Sequence, residues 1–233
     1  MRCEGTLTVR TIADKVVLDF LMLSADAIVE LHDQSTRIWH RIPFTANEES
    51  ALNGGGTADA WLNAVARQHR ANFDLWHIED EARAPGATDA DLAQVKRNID
   101  RTNQLRNDLA EGLDCALLGW LEARQLPNVN TPLNSESPGL MIDRLSILAL
   151  KIYHTREETE RIDAEPGHTE RNLKRLVILE TQRKDLASCL DELWRETLAG
   201  RRQFKLYRQL KMYNDPTLNP AVYRKVAGGS SGQ

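Results

Sequence analysis

Two pairs of histidine and carboxylate residues are the clearest candidates for metal chemistry in this sequence. His77-x-x-Asp80 and His154-x-x-Glu157 each place an imidazole and a carboxylate one helical turn apart. Paired helices supply the ligands of di-metal sites in this way, although the established pattern has Glu three residues before His. A site made of oxygen ligands, with Asn103 among them, would instead suit Mg²⁺. The candidate ligands of a divalent cation are His77, Glu79, Asp80, Asp100 and His154.

Arginines on predicted buried helix faces indicate a second chemistry, the binding of an anion. Arg106 and Arg183 fall on such faces, and because an unpaired buried charge is costly, we expect both to contact carboxylates. Together with a basic and aromatic segment near the end of the chain, they could bind a phosphorylated small molecule between helices. The candidate ligand-binding residues are Asn72, Trp76, His77, Glu79, Asp80, Arg83, Asp100, Asn103, Arg106, Asn107, Asp143, His154, Arg183 and Lys211.

Three functional hypotheses follow from these groups, and the sequence leaves all three open. The first is a polar cleft between helices that binds an anionic or phosphorylated small ligand. The second is a divalent-metal-dependent hydrolase similar to the all-α nucleotide pyrophosphohydrolases, although their clustered Glu-Glu-x-x-Glu is absent. The third is a structural or interaction scaffold with buried ion-pair networks. His32, His40 and His168 are interpreted as ordinary surface or packing residues, and no Ser-His-Asp or Cys-His arrangement is recognisable.

Five helices must position these residues. Apolar residues recur at helical spacing, Pro85-Gly86 and Pro166-Gly167 interrupt the pattern, and Ser137-Pro138 is a typical helix start. The predicted helices cover about 25–41, 57–84, 88–124, 138–164 and 169–200. The fourth is apolar nearly all round, which predicts burial against several neighbours. The fold class is therefore predicted to be an all-α helical bundle.

An internal repeat suggests how the helices are paired. The segment 106–114 resembles 183–191 at an offset of 77 residues, and the same offset carries His77 to His154. A bundle of two pseudo-repeated antiparallel helical hairpins, with extra N- and C-terminal helices, would account for this offset. It would also place the two histidine segments together, facing Arg106 and Arg183.

Bulk properties limit the class of protein. The chain has 233 residues, a net charge of −4 and only three cysteines, with no disulfide or zinc-finger spacing. We expect a cytoplasmic protein that binds neither nucleic acid nor membranes, because it lacks a basic excess and a long apolar run. The expected organisation is a leader at 1–24, one domain at 25–224 and a disordered tail at 225–233. A homodimer and a bound divalent cation are further expectations.

Several longer motifs resemble one known family. They are Asn72-Phe73-x-Leu75-Trp76-His77-x-Glu79-Asp80-x-Ala82-Arg83, Lys96-Arg97-x-Ile99-Asp100, Asn134-Ser135-Glu136-Ser137-Pro138-Gly139 and Lys205-x-Tyr207-Arg208-Gln209-x-Lys211-Met212-Tyr213. Over about residues 25–223 the chain is similar to a bacterial family of uncharacterised proteins, domain of unknown function 4254. Ser137 stands where that motif is associated with Thr. The resemblance implies one bundle domain and names no reaction.

Overall fold

The computed structural model describes residues 24–41, 57–210 and 217–219, and in this part of the chain all regular structure except one β-bridge is helical. The five helices are α1 Ala25–Arg41, α2 Thr57–Glu81, α3 Asp89–Glu122, α4 Pro138–Glu160 and α5 His168–Leu198. The prediction of an all-α bundle is confirmed. Lys211, the sequence Asn53-Gly54-Gly55-Gly56, and nearly all of the predicted leader and tail lie outside the described residues.

The helix boundaries agree with the predicted pattern at most ends. Gly86 and Gly167 adopt φ values of 86° and 81°, a left-handed conformation that suits glycine, at the two predicted breaks. α4 ends at Glu160, about four residues before the predicted end, and the chain then turns with Arg161 Nε donating to Asp163 Oδ1 at 2.9 Å. None of the described helices is long and apolar enough to cross a bilayer.

α4 is the central helix of the bundle. It packs against α1, α2, α3 and α5, which explains why its sequence is apolar nearly all round. α2 packs along α3, and α4 packs along α5, as the predicted hairpins require. The pseudo-repeat itself stays a prediction. The main core cluster includes Ile28, Val65, Leu113, Leu121, Ile142, Leu145, Leu190, Trp194 and Phe204.

The segment after α5 departs from the predicted C-terminal helix. Residues 201–210 contain no helix, and Gln203 forms an isolated parallel bridge with Leu133. The Gln203 side chain donates to the carbonyls of Val129 and Thr131, while the Phe204 ring is buried in the core. These tertiary contacts fix an irregular path that helix propensity would not predict.

The start of α4 is held by a residue of α3. The Ser137 hydroxyl donates to a carboxylate oxygen of Asp114 and makes no cap to its own helix. The Gly139 N–H donates to Asp114 Oδ1 at 2.7 Å. Asp114, rather than Ser137, therefore caps α4, because a carboxylate close to the first free N–H groups stabilises a helix N-terminus.

Candidate functional site

Three histidines from three helices meet at one end of the bundle. His40 lies in the last turn of α1, and His77 and His154 lie in the C-terminal parts of α2 and α4. One ring nitrogen of each lies within 4.8 Å of the others. A tetrahedral Zn²⁺ with Zn–N bonds of about 2.05 Å would hold three nitrogens about 3.3 Å apart. Small ring movements would therefore bring all three onto one ion.

The Nδ1 atom of each of these histidines already has an acceptor. His40 Nδ1 lies 2.7 Å from the Thr36 carbonyl oxygen, and His77 Nδ1 lies 2.8 Å from that of Phe73. His154 Nδ1 lies 2.9 Å from Glu157 Oε2. Because these partners only accept, each Nδ1 carries the proton in the neutral ring. Nε2 then keeps its lone pair, which is the tautomer that metal-binding histidines use.

Two of these three Nε2 atoms have no hydrogen-bond partner in the described part of the chain. His40 Nε2 and His154 Nε2 are buried and have no hydrogen-bond partner among the described residues. A buried acceptor without a partner costs about 1–3 kcal/mol, and most buried polar groups in proteins are satisfied. These two lone pairs could therefore bind a metal ion or accept a hydrogen bond from a ligand.

Aromatic side chains surround the His40, His77 and His154 rings and fix their planes. Trp76 stacks on His154 with ring centroids 4.8 Å apart and planes 9° apart, and Tyr153 stacks on His40 at 4.2 Å and 17°. Burial lowers the pKa of His154, against an opposing effect of the Glu157 carboxylate. Burial and the nearby Glu157 raise the pKa of the Tyr153 phenol. The lowered pKa favours the neutral imidazole of His154, the form that metal binding requires.

The carboxylates predicted as metal ligands do not join this group. Glu79 pairs with Arg83, and Asp100 pairs with Lys96 on its own helix. Among the described residues, the three histidines are the one group of three or more candidate ligands close enough to share an ion. The predicted Mg²⁺ site of Glu79, Asp80, Asp100 and Asn103 is therefore not assembled in this structure.

The two predicted buried arginines do find carboxylates. Arg106 binds Asp143 with two hydrogen bonds, Nε to Oδ1 at 2.9 Å and Nη2 to Oδ2 at 2.8 Å. Arg183 donates to Asp33 of α1 at 2.7 Å. That prediction is confirmed, but the two arginines do not face one shared site. Each is committed to a different carboxylate on a different helix.

Asp143 anchors a buried hydrogen-bond network beside the histidines. Gln68 and Asn72 donate to its Oδ1 at 2.6 and 2.9 Å, and Asn72 also donates to Ser146 at 2.9 Å. Ser146 in turn lies 2.7 Å from His69 Nδ1. Burial is the main cause that lowers the pKa of His69 to about 3. Ser146 and His69 are both fully buried, so no substrate reaches this pair and it is not a hydrolytic nucleophile.

Six of the predicted ligand-binding residues line one cavity of about 330 Å³ next to α2 and α4. They are Asn72, Trp76, Glu79, Asp80, Arg83 and Arg106, and Leu75, Ile147 and Leu150 complete its walls. Asp100, Asn103, Asn107 and Arg183 do not line it. Trp76 connects this cavity to the histidine cluster, because it lines the cavity and its ring stacks on the ring of His154.

A comparison with protein families matches residues 62–206 to the family described as "Protein of unknown function (DUF4254)", which is more than half of the chain. The chain belongs to the DUF4254 family. No curated protein and no solved structure matches it. His77 and His154 lie inside the matched range, and His40 lies before it.

In this DUF4254 protein, two of the three clustered histidines belong to the set of candidate ligands drawn from the sequence. His77 and His154 were predicted as metal ligands, whereas His40 was interpreted as a surface or packing residue. In the structure, His154 hydrogen-bonds Glu157, whereas His77 donates to the Phe73 carbonyl. The sequence feature that could have pointed to His40 as a ligand is its position in the last turn of a helix, and no spacing to a carboxylate or to another histidine supports it.

Proposed function

We propose that this DUF4254 protein binds a transition-metal ion, Zn²⁺ foremost, through the Nε2 atoms of His40, His77 and His154. The observation that carries the proposal is the pair of buried Nε2 atoms without partners, in rings whose Nδ1 atoms are already bonded. The bonds at Nδ1 fix the tautomer of each ring, which leaves Nε2 as the nitrogen able to coordinate an ion.

The chemistry of the ligands supports this class of metal. Imidazole suits Zn, Cu, Fe and Ni, whereas Mg²⁺ and Ca²⁺ take oxygen ligands. The C-terminal parts of α1, α2 and α4 converge here, and the negative ends of helix dipoles favour a cation. Three protein ligands leave a fourth position for water, whose pKa on Zn²⁺ falls to about 7. A centre of this kind can deliver hydroxide to a substrate.

The competing hypotheses have less support. Both arginines of the anionic-cleft hypothesis are bound to carboxylates, and freeing either would leave a partly buried acid unpaired. The Asp143 network has the partners that a structural ion-pair network needs. We therefore infer that the Asp143 network stabilises the packing of α4, and that the histidine cluster is the functional site.

Metal analysis tests the proposal directly. Protein purified without chelator is analysed for bound metals, then stripped and titrated with Zn²⁺ by calorimetry. We expect one ion per chain, and a Co²⁺-substituted form whose visible spectrum is that of tetrahedral coordination. His40→Ala and His154→Ala should each lower the affinity by about 100-fold or more.

His168→Ala is the matched control, because His168 hydrogen-bonds Glu158 and lies outside the cluster. It should bind Zn²⁺ like the unaltered protein. Circular dichroism establishes that each variant is folded before it is titrated. Affinities that are equal in His154→Ala and His168→Ala would refute the proposed centre.

A further inference from the structure

We infer that the groove between α1 and α4 binds the phosphoryl group of a small-molecule substrate beside the metal centre. The groove is a cavity of about 300 Å³. It borders the histidine cluster through Tyr153, which stacks on His40, and through Glu157, which bonds His154. The inference rests on the proposed function, because the metal ion bound by the histidines would lie next to the phosphoryl group.

Three arginines line the groove, and their guanidinium groups are available to an anion. Arg41 has no acidic partner within residues 24–41 and 57–210. Arg156 pairs with Glu180 at 2.8 Å and Arg37 with Glu30 at 3.7 Å, and in both pairs each side chain is about half exposed. Exposed pairs of this kind contribute little, so a ligand can recruit their arginines at small cost.

The acidic groups of the groove differ in their partners. Asp33 accepts from the Arg183 guanidinium, whereas Glu157 accepts from the neutral His154 ring and keeps its negative charge, and Glu160 has no such bond among the described residues. Arg41 lies close enough to Tyr153 to act against the rise in pKa of its phenol. Of the three acids that line the groove, only Asp33 has a cationic partner among the described residues, so three arginines share the groove with the carboxylates of Glu157 and Glu160.

The number and kind of these donors favour a phosphoryl group over a carboxylate. Guanidinium groups bind the oxygens of phosphate in pairs, and three of them together with a metal ion match a dianion better than a monoanion. The cavity next to α2 is less suitable, because Arg106 is held by two hydrogen bonds to the buried Asp143 and its other arginine, Arg83, is paired with Glu79. We therefore assign the anion to the α1–α4 groove.

Phenylphosphonate, a stable phosphoryl compound, is the probe for this groove. Its binding is measured by calorimetry on Zn²⁺-loaded and metal-free protein, with benzoate as the carboxylate comparison. We expect phenylphosphonate to bind more tightly than benzoate, and Arg41→Gln to weaken it at least about ten-fold. Arg171→Gln is the control, since Arg171 is exposed and pairs with Glu165 near the start of α5. It should change the affinity less than about two-fold, and Zn²⁺ should bind all variants equally.

The outcomes separate this inference from the metal proposal. Zn²⁺ binding without phenylphosphonate binding, or equal binding by Arg41→Gln and Arg171→Gln, overturns the groove and leaves the metal centre. Phenylphosphonate binding that depends on Arg41 in a chain that fails to take up Zn²⁺ supports the groove and overturns the metal centre. Benzoate binding as tightly with the same dependence on Arg41 overturns the phosphoryl assignment.

Discussion

At the scale of single residues, Glu157 differs from the other groups that hold the histidine rings. His40 and His77 donate their Nδ1 protons to backbone carbonyls, whereas His154 donates to a carboxylate. A carboxylate behind an imidazole raises its basicity and strengthens its bond to a metal ion. In the proposed metal centre, Glu157 would therefore be a positioning residue that acts on the ion through His154.

Replacing Glu157 by Gln should weaken Zn²⁺ binding by about 10- to 100-fold. The amide oxygen still accepts from Nδ1, so the ring stays in place, but the negative charge is gone. Competition with a chelating dye measures the affinity at pH 7.5. Glu160→Gln is the control, because Glu160 lies three residues further along α4 and lines the same groove. Equal losses in the two variants would mean a general charge effect and would contradict the positioning role.

The limits of sequence analysis are also clearest at this scale. His77 and His154 could be found because a 77-residue offset connects them and each has a carboxylate one turn away. His40 is 37 positions before His77 and has no such pattern. Only the packing of α1 against α2 and α4 brings it to the cluster. Asp80 was predicted as a ligand from its spacing to His77, and Asp100 from the expected register of an antiparallel hairpin, and neither reveals the direction of a side chain.

At the scale of elements, the contact between α3 and α4 shows why helix starts are easier to locate than to explain. The Ser137-Pro138 pattern predicted the first residue of α4 correctly. The cap, however, comes from Asp114 on the preceding helix, which no local pattern contains. The two helices approach so closely that a Cβ atom on Gly139 would lie 2.3 Å from the Ala110 carbonyl oxygen and 2.9 Å from the Asp114 side chain.

Gly139→Ala should therefore destabilise the protein by about 1–3 kcal/mol, because the added methyl group forces α3 and α4 apart. Gly112→Ala is the matched control on α3, where a Cβ would meet nothing within 4 Å. That substitution should stabilise by about 0.5–1 kcal/mol, as alanine does in a helix interior. Urea unfolding followed by circular dichroism measures both. Changes of the same sign would contradict the close approach.

At the scale of the whole molecule, histidines form much of the interior where α1, α2 and α4 meet. Five of the six histidines lie there, and His32 and His69 are fully buried with ring centroids 4.4 Å apart. Burial is the largest cause that lowers the pKa of both below the usual 6.5. The folded protein thus holds a neutral histidine pair that the unfolded chain would protonate in mild acid.

This pair makes stability depend on pH in a direction that can be worked out. Below pH 6.5, His32 and His69 take up protons in the unfolded chain but stay neutral in the folded protein. The free energy of unfolding therefore falls as the pH falls. Asp114 acts in the opposite sense. Burial raises its pKa to about 6 from 3.8, so between these values the folded state binds the extra proton. Each group contributes about 1.4 kcal/mol per pH unit where it is fully effective.

Between pH 6 and 5, the histidines with lowered pKa values, His32, His69 and His154, outweigh the aspartates with raised values, Asp74 and Asp114, which leaves a net loss on the order of 1 kcal/mol per pH unit in the free energy of unfolding. Asp114→Asn removes one of the opposing groups, and the loss should steepen by up to about the same amount. Urea unfolding of metal-free protein at pH 7, 6, 5.5 and 5 gives both slopes. Ordinary carboxylates contribute little in this range, because they titrate near pH 4. A flat profile for the unaltered protein, or identical slopes for the two proteins, would show that this interior is hydrated and that its histidines take up protons in the folded state.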